Sequence, residues 1–478
     1  MKDVANDAPV ILWFRRDLRL GDHAALTAAA ASGRPVIPVF LHDETVEVLG
    51  AAAKWRLGEG LAVLAAGLGA RGARLILRRG AAREVLLRLV AETGAAAVHW
   101  QRVYDREGIA RDTAVKAALK AEGILAESFP GAVLFEPWTV ATGAGAPHSV
   151  YSPFWRAVRG RDAGVALPEP ESLRPPATWP ASDMRADWRM AMAVDRGAAF
   201  LARHATVGEA AARARLEGFV AERLARYPSE RDFPARGATS GLSENLAWGE
   251  ISPRTVWAAG LRAREEGNPG AEKFLSELVW REFAWHLMYH HPGLASANWR
   301  AGWDSFPWRG DNPEAERWRR GMTGEPFVDA AMREMYVTGR MHNRARMIAA
   351  SYLTKHLMTD WRVGLAWFAE CLTDWDPAAN AMGWQWVAGC GPDAAPYFRI
   401  FNPGTQAEKF DPEGRYRGAF LAEGRAAPPA TARDYFAAVP RAWRLRPDAR
   451  YPAPAIALAE GRARALRAYG QRDRAAAE

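Results

Sequence analysis

Two cysteines in 478 residues, Cys371 and Cys390, are too few for a disulfide framework and do not stand in C-x-x-C spacing. They read as ordinary buried thiols in a reducing compartment. No run of eighteen uncharged apolar residues occurs, which removes a membrane-spanning helix. The opening MKDVANDAPV lacks the charged-then-apolar layout of a secretory signal, so a soluble, cytoplasmic protein is expected, nucleoid-associated if bacterial. Walker A, H-E-x-x-H and G-x-S-x-G motifs are absent. Gly67, Gly69 and Gly72 do satisfy G-x-G-x-x-G, but a helical pattern precedes them and the strand-like ARLILR follows. That is the wrong order for a dinucleotide turn, which needs a helix N-terminus after it, so a helix end and turn are expected. His286 and His290 stand four apart on a helical pattern without a third ligand, which favours helix packing over a metal.

What is present fits two domains, since the length exceeds what one core organises. Residues 9–128 alternate strand-like runs (PVILWF, VIPVFL, ARLILR, AAVHW) with helical patterns, the rhythm of a parallel α/β sheet of Rossmann-like type. The stretch 161–187 carries Pro168, Pro170, Pro175, Pro176 and Pro180 with little periodicity and reads as an interdomain linker. From about 196 strand signals vanish and long helical patterns dominate, so the second domain is expected to be all-α. The boundaries expected are 1–130, a connection over 131–195, and 196–478. The Arg/Ala-rich tail after Pro454 reads as a final surface helix or a frayed end. A formal charge of +8 points to an anionic partner, for which nucleic acid is the commonest choice. Twenty-one tryptophans can serve packing, base stacking or one-electron chemistry.

Glu277, Trp280 and Arg281 fall at i, i+3 and i+4 and share one helix face. Asn343, Arg346 and Met347 share another, in MHNRARM, and DWDPAANAMGWQW offers Asp374, Asp376 and Asn380 ahead of Trp384 and Trp386. A buried face carrying Asn and Arg needs partners or costs several kcal/mol. Each segment alone reads better as a structural salt bridge or a surface face than as a site; their joint occurrence is what points to a site.

The joint pattern resembles the photolyase/cryptochrome family along almost the whole chain. It runs from ILWFRRDLRLGDHAAL through YPSERDFPARGATSGLS, FLSELVWREF, EPFVDAAMREMYVTGRMHNRARMIAASYL and DWDPAANAMGWQW to PYFRIFNPGTQAEKFDPEG. The resemblance implies an antenna-type α/β domain and a helical domain holding FAD in a folded conformation. It assigns Tyr227, Thr239, Ser240, Gly241, Leu242 and Ser243 to the phosphates, together with Arg281. It pairs Arg346 with Asp374 beside the flavin ring, puts Asp376 at the ring's polar edge and Asn380 facing the flavin N5. It implies a carbon–carbon lyase: excited FADH⁻ lends an electron to a cyclobutane pyrimidine dimer extruded from damaged DNA and recovers it after splitting. Trp280 and Trp386 correspond to the aromatic walls of the lesion site. Glu277 and Asn343 correspond to groups that hydrogen-bond the dimer, with Met347 lining the same pocket. Arg231, Arg344 and Arg399 correspond to phosphate contacts at the cavity mouth. Trp384, Trp361 and Trp308 align with the family's electron-transfer chain to the surface; three core aromatics are the alternative.

Within the family, the (6-4) photoproduct enzymes carry a histidine pair where this chain has Asn343 and Met347, neither able to act as a general acid. Trp386 favours the dimer photolyases over the single-strand-preferring branch, and the resemblance is nearest to class I. A cryptochrome-type blue-light receptor is the rival, and a flavin-free DNA-binding protein a third reading. The segment HWQRVYDREGIARD leaves the second chromophore open among 5,10-methenyltetrahydrofolate, 8-hydroxy-5-deazaflavin and none. A monomer without an obligate protein partner is implied.

Overall fold

The computed structural model describes residues 7–393 and 398–475. Pro396 and Tyr397 of the PYFRIF motif lie outside the described residues.

Five parallel strands form one sheet in the order β3-β2-β1-β4-β5: β1 (Val10–Phe14), β2 (Val36–His42), β3 (Ile76–Arg79), β4 (Ala97–Gln101) and β5 (Leu125–Phe129). The helices α1 (Ala24–Ala31), α2 (Ala51–Gly69), α3 (Ala82–Thr93) and α4 (Arg106–Ala121) alternate with them. Period-two alternation sends Val10, Leu12 and Phe14 into one core, and Ile11 and Trp13 into another on the opposite face. Both faces are therefore covered, which is why these strands read as uninterrupted apolar runs. β5 gave no such signal. It is an edge strand, with Leu125 and Glu127 exposed and Ser128 half-buried. Gly67 and Gly69 lie in the last turns of α2, and Gly72 takes φ +81° in the turn before β3, a helix end rather than a phosphate turn.

The proline-rich stretch lies along the α/β unit. Asp22 N–H donates to Leu167 O, Val36 N–H to Arg174 O and Leu173 N–H to Arg71 O. On β3, Leu77 N–H donates to Ser182 Oγ and Leu77 O accepts from Asp183 N–H, so the open edge of the sheet is closed by the chain itself.

The second half is helical; an isolated bridge, Arg309 with Thr359, is its one β pairing among the described residues. Its site-bearing helices are α5 (Ala271–His290), α6 (Pro326–Thr338), α7 (Asn343–Ser351), α8 (Trp361–Cys371) and α9 (Pro377–Ala388). The tail forms α10 (Leu458–Ala475), which buries Ala465 and Ala468 in the helical core. No helix of the described residues is long and apolar enough to cross a membrane.

The two halves interlock through buried polar contacts. At Gly249, φ is +66° and a Cβ would lie 2.2 Å from Arg16 O, so the loop after the short helix Ser243–Ala247 closely approaches the segment that follows β1. Arg56 of α2 is fully buried and bonds both Glu244 and Glu250, which are also fully buried.

Candidate functional site

A cavity of about 750 Å³ opens among α5, α7, α9 and the loop 239–243. Every residue assigned above to cofactor or lesion lines it: Tyr227, Thr239, Ser240, Gly241, Leu242, Ser243, Glu277, Trp280, Arg281, Asn343, Arg346, Met347, Asp374, Asp376, Asn380 and Trp386.

At one end, Gly241 adopts φ +68°, a left-handed turn that glycine takes at little cost, and its carbonyl accepts from Arg215 Nη1 at 2.6 Å. The hydroxyls of Thr239, Ser240 and Ser243 surround this turn, at the start of the helix Ser243–Ala247. Arg281 is anchored from α5 by Glu282 (2.9 Å) and Ala132 O (3.0 Å), while its buried Nε has no acceptor among the described residues.

At the other end, Asp374 is buried and accepts from Arg346 Nη2 at 2.9 and 2.7 Å; Arg346 Nε donates to Met341 O at 2.8 Å. Asp376 caps α9: Oδ1 accepts from Ala379 N–H at 2.9 Å and Oδ2 from Trp285 Nε1 at 3.1 Å. Asn380 Nδ2 donates back to Asp376 O at 2.9 Å. The segment presenting both aspartates is held from outside, by Trp248 Nε1 on Thr373 O (2.7 Å) and by Arg16 on Trp375 O. His342 caps α7, accepting from Arg344 N–H; burial pushes its imidazole down to about 4, which keeps it neutral at physiological pH.

The shared faces expected on α5 and α7 are present. Glu277 is not a bare carboxylate: it pairs with Lys273 at 2.7 Å and with Arg231, which also lines the cavity. Asn343 Nδ2 lies 3.9 Å from Met347 Sδ one turn on. Trp280 is backed by the ring of Tyr151, and Trp386 Nε1 donates to Asp393 O at 3.1 Å. Arg344 and Arg399 stand off the cavity wall. Arg344 pairs with Asp232 at 2.8 Å over the ring of Phe410, and Arg399 lies 5.9 Å from the Trp386 ring. Of the three chain tryptophans only Trp384 lines the cavity. It packs on Gly364, one turn from Trp361 on α8, where a Cβ would lie 2.1 Å from the indole. Trp361 Nε1 donates to Asn298 Oδ1 at 2.9 Å. Half-buried Trp308 adjoins Arg309, whose bridge to Thr359 brings it beside the start of α8, and it stacks on Trp303 with centroids 5.5 Å apart.

His286 Nε2 accepts from His148 N–H at 3.1 Å, and His290 Nε2 lies 3.2 Å from Pro137 O; burial pushes the His286 imidazole down to about 3. These contacts are packing. Tyr151, Asp393, His342, Arg215 and Arg56 were not singled out by sequence reasoning. His342 lies inside MHNRARM, whereas Tyr151 opens the short helix Tyr151–Val158, whose apolar stripe of Tyr151, Phe154 and Val158 reads as packing.

The cavity suits FAD. Its volume falls within the range of about 300–1,000 Å³ typical of cofactor sites. It has hydroxyls and an unmatched guanidinium N–H suited to phosphates, and an ion pair and amide suited to a ring with polar edges. By contrast, the crevice at the carboxyl ends of β1 and β4, lined by Arg15, Arg16, Arg19 and Arg102, encloses about 40 Å³, the room of a few waters.

Residues 10–172 match the family model described as DNA photolyase, and residues 274–471 the model described as FAD binding domain of DNA photolyase. A deoxyribodipyrimidine photo-lyase of Agrobacterium fabrum is 47% identical over 419 residues, 87% of each chain. The crystal structure of a class III photolyase from Agrobacterium tumefaciens superposes with a TM-score of 0.90 at 42% identity, covering 99% of both chains. A Synechocystis cryptochrome superposes with a TM-score of 0.81 at 26% identity, covering 98% of this chain and all of that one. Fold, cavity and both matched models agree: the chain belongs to the DNA photolyase family.

Proposed function

We propose that the protein is a light-dependent DNA repair enzyme that splits cyclobutane pyrimidine dimers. The observation that carries this reading is the sharing of one cavity: the phosphate-type loop and the Arg346–Asp374 pair line the same 750 Å³ as Trp280, Trp386, Glu277, Asn343 and Met347. Reduced FAD, when bound and excited by light, supplies the electron that opens the dimer ring and receives it back. The chain's own residues do the rest. Trp280 and Trp386 offer flat apolar faces that replace the stacking an extruded dimer loses. Glu277, held by Lys273 and Arg231, and the Asn343 amide supply preplaced polar groups where charge develops on the pyrimidines. Arg231, Arg344 and Arg399 take DNA phosphates by exchanging their present partners for them. Trp384, Trp361 and Trp308 pass electrons inward from the surface. Residues 1–130 act as the antenna-type domain, 131–195 as its connection and 196–478 as the catalytic domain.

Asn343 and Met347 cannot shuttle protons, which argues against (6-4) repair. A receptor without repair activity has no use for a complete dimer-facing set. The test is an oligonucleotide with one defined thymine dimer, incubated with the reduced protein. Repair under blue light and none in darkness is expected; repair in both or in neither overturns the reading.

A further inference from the structure

The two indoles of the cavity are tied together behind its wall. On one side the Tyr151 ring lies on Trp280, centroids 3.6 Å apart and planes within 8°. The Tyr151 hydroxyl donates to Ser276 O at 2.5 Å, one turn before Trp280 on α5. The Asp393 carboxylate faces the backbone N–H of Tyr151, whose dipole favours its charge. On the other side, Trp386 Nε1 donates to the backbone carbonyl of the same Asp393 at 3.1 Å. One residue therefore faces the support of one wall with its side chain and holds the other wall through its main chain. Asp393 does so at φ +51°, the left-handed region where glycine is the natural occupant.

We propose that Tyr151 and Asp393 are positioning residues that fix the gap between Trp280 and Trp386, and with it the preference of the slot for two covalently joined pyrimidines over separate bases. The inference rests on Trp280 and Trp386 being the lesion walls. A slot of fixed width suits a rigid pair of rings held close together by the cyclobutane. A slot free to widen pays ordering entropy on binding and admits a wider range of bases.

The test compares binding of a thymine-dimer oligonucleotide and its undamaged counterpart to the FAD-loaded protein in darkness. Asp393→Gly removes the carboxylate while relieving the backbone, so the variant folds and keeps its FAD. The dimer-to-undamaged affinity ratio is expected to fall about five-fold, the worth of one hydrogen bond. Asp393→Asn keeps an acceptor oxygen for Tyr151 N–H and tolerates positive φ, and restores the ratio. Tyr151→Leu loses the stack and falls by a similar factor, whereas Tyr151→Phe keeps most of the preference. Because the two contacts act in series, the double variant Tyr151→Leu/Asp393→Gly loses little more than the larger single change. An Asp393→Gly ratio within about two-fold of the parent, or full additivity in the double variant, overturns the proposal. A parent protein with no preference for the dimer would instead sink the assignment of the walls.

Discussion

Replacing Arg56 by Met is the sharpest test of how the cavity-lining loop 239–243 is held. Arg56 Nη2 donates to Glu250 Oε2 at 2.6 Å and its Nε to Glu244, with all three side chains fully buried. Met has nearly the same reach, so the change removes charge more than volume. Glu244 would keep Arg340, but Glu250 would keep only the Asn245 amide at 2.7 Å, leaving a buried carboxylate without a cation. Breaking such a pair from one side costs about 3–5 kcal/mol. Unfolding entropy is about 2.1 cal/mol/K per residue, or about 1.0 kcal/mol/K for 478 residues, so the expected fall in Tm is about 3–5 °C. Calorimetry over a series of FAD concentrations separates the contribution of the ligand from that of the fold. Since Glu244 lies in the helix that follows the phosphate-type loop, FAD should also leave the variant faster, as read by fluorescence of the released flavin. Adding Glu250→Gln should recover at least half the lost stability, because the uncompensated charge is then gone. A fall under about 1 °C, or a double variant less stable than the single one, would refute the reasoning.

Trp308→Phe should abolish light-driven bleaching of the oxidised flavin by an external reductant while chemically reduced protein still repairs; normal bleaching removes Trp308 from the route. Asn343→His places an imidazole where the amide stands, and should lower the repair quantum yield with FAD content unchanged; an unaltered yield would strip Asn343 of its role. Glu325 is buried near Asp329, and desolvation first, with that carboxylate second, pushes it up to about 7. In the fold it keeps its proton while the unfolded chain ionises from about 4.5, so stability falls as pH rises between these values and levels off above them, by at most about 3 kcal/mol. Glu325→Gln should flatten that slope in urea midpoints measured from about pH 5 to 8; an identical slope would show that Glu325 is not its source.

The parts of the molecule that were legible are those in which one stretch of chain carries its own signal. Runs such as VILWF and VIPVF announced strands buried on both faces, and the spacing of Glu277, Trp280 and Arg281 announced a shared helix face. β5 was silent because an edge strand needs no continuous apolar run. Periodicity says which side of an element a residue occupies and nothing about what meets it there. Arg231 and Arg344 could be placed near a basic rim, yet their carboxylate partners Glu277 and Asp232 appeared only in the fold. The same holds for Tyr151 on Trp280 and Arg16 on Trp375, contacts between segments far apart in sequence. The proline-rich stretch lacked periodicity because its hydrogen bonds go outward to the sheet and α2 rather than within itself.

The buried arginine of α2 also limits how this protein can be recombined. The helical half draws the countercharge for Glu250 from the α/β half, so the two are not interchangeable modules. A chimera built with the front half of a relative would inherit an orphan negative charge at Glu250 unless the donor carries arginine at the place of Arg56.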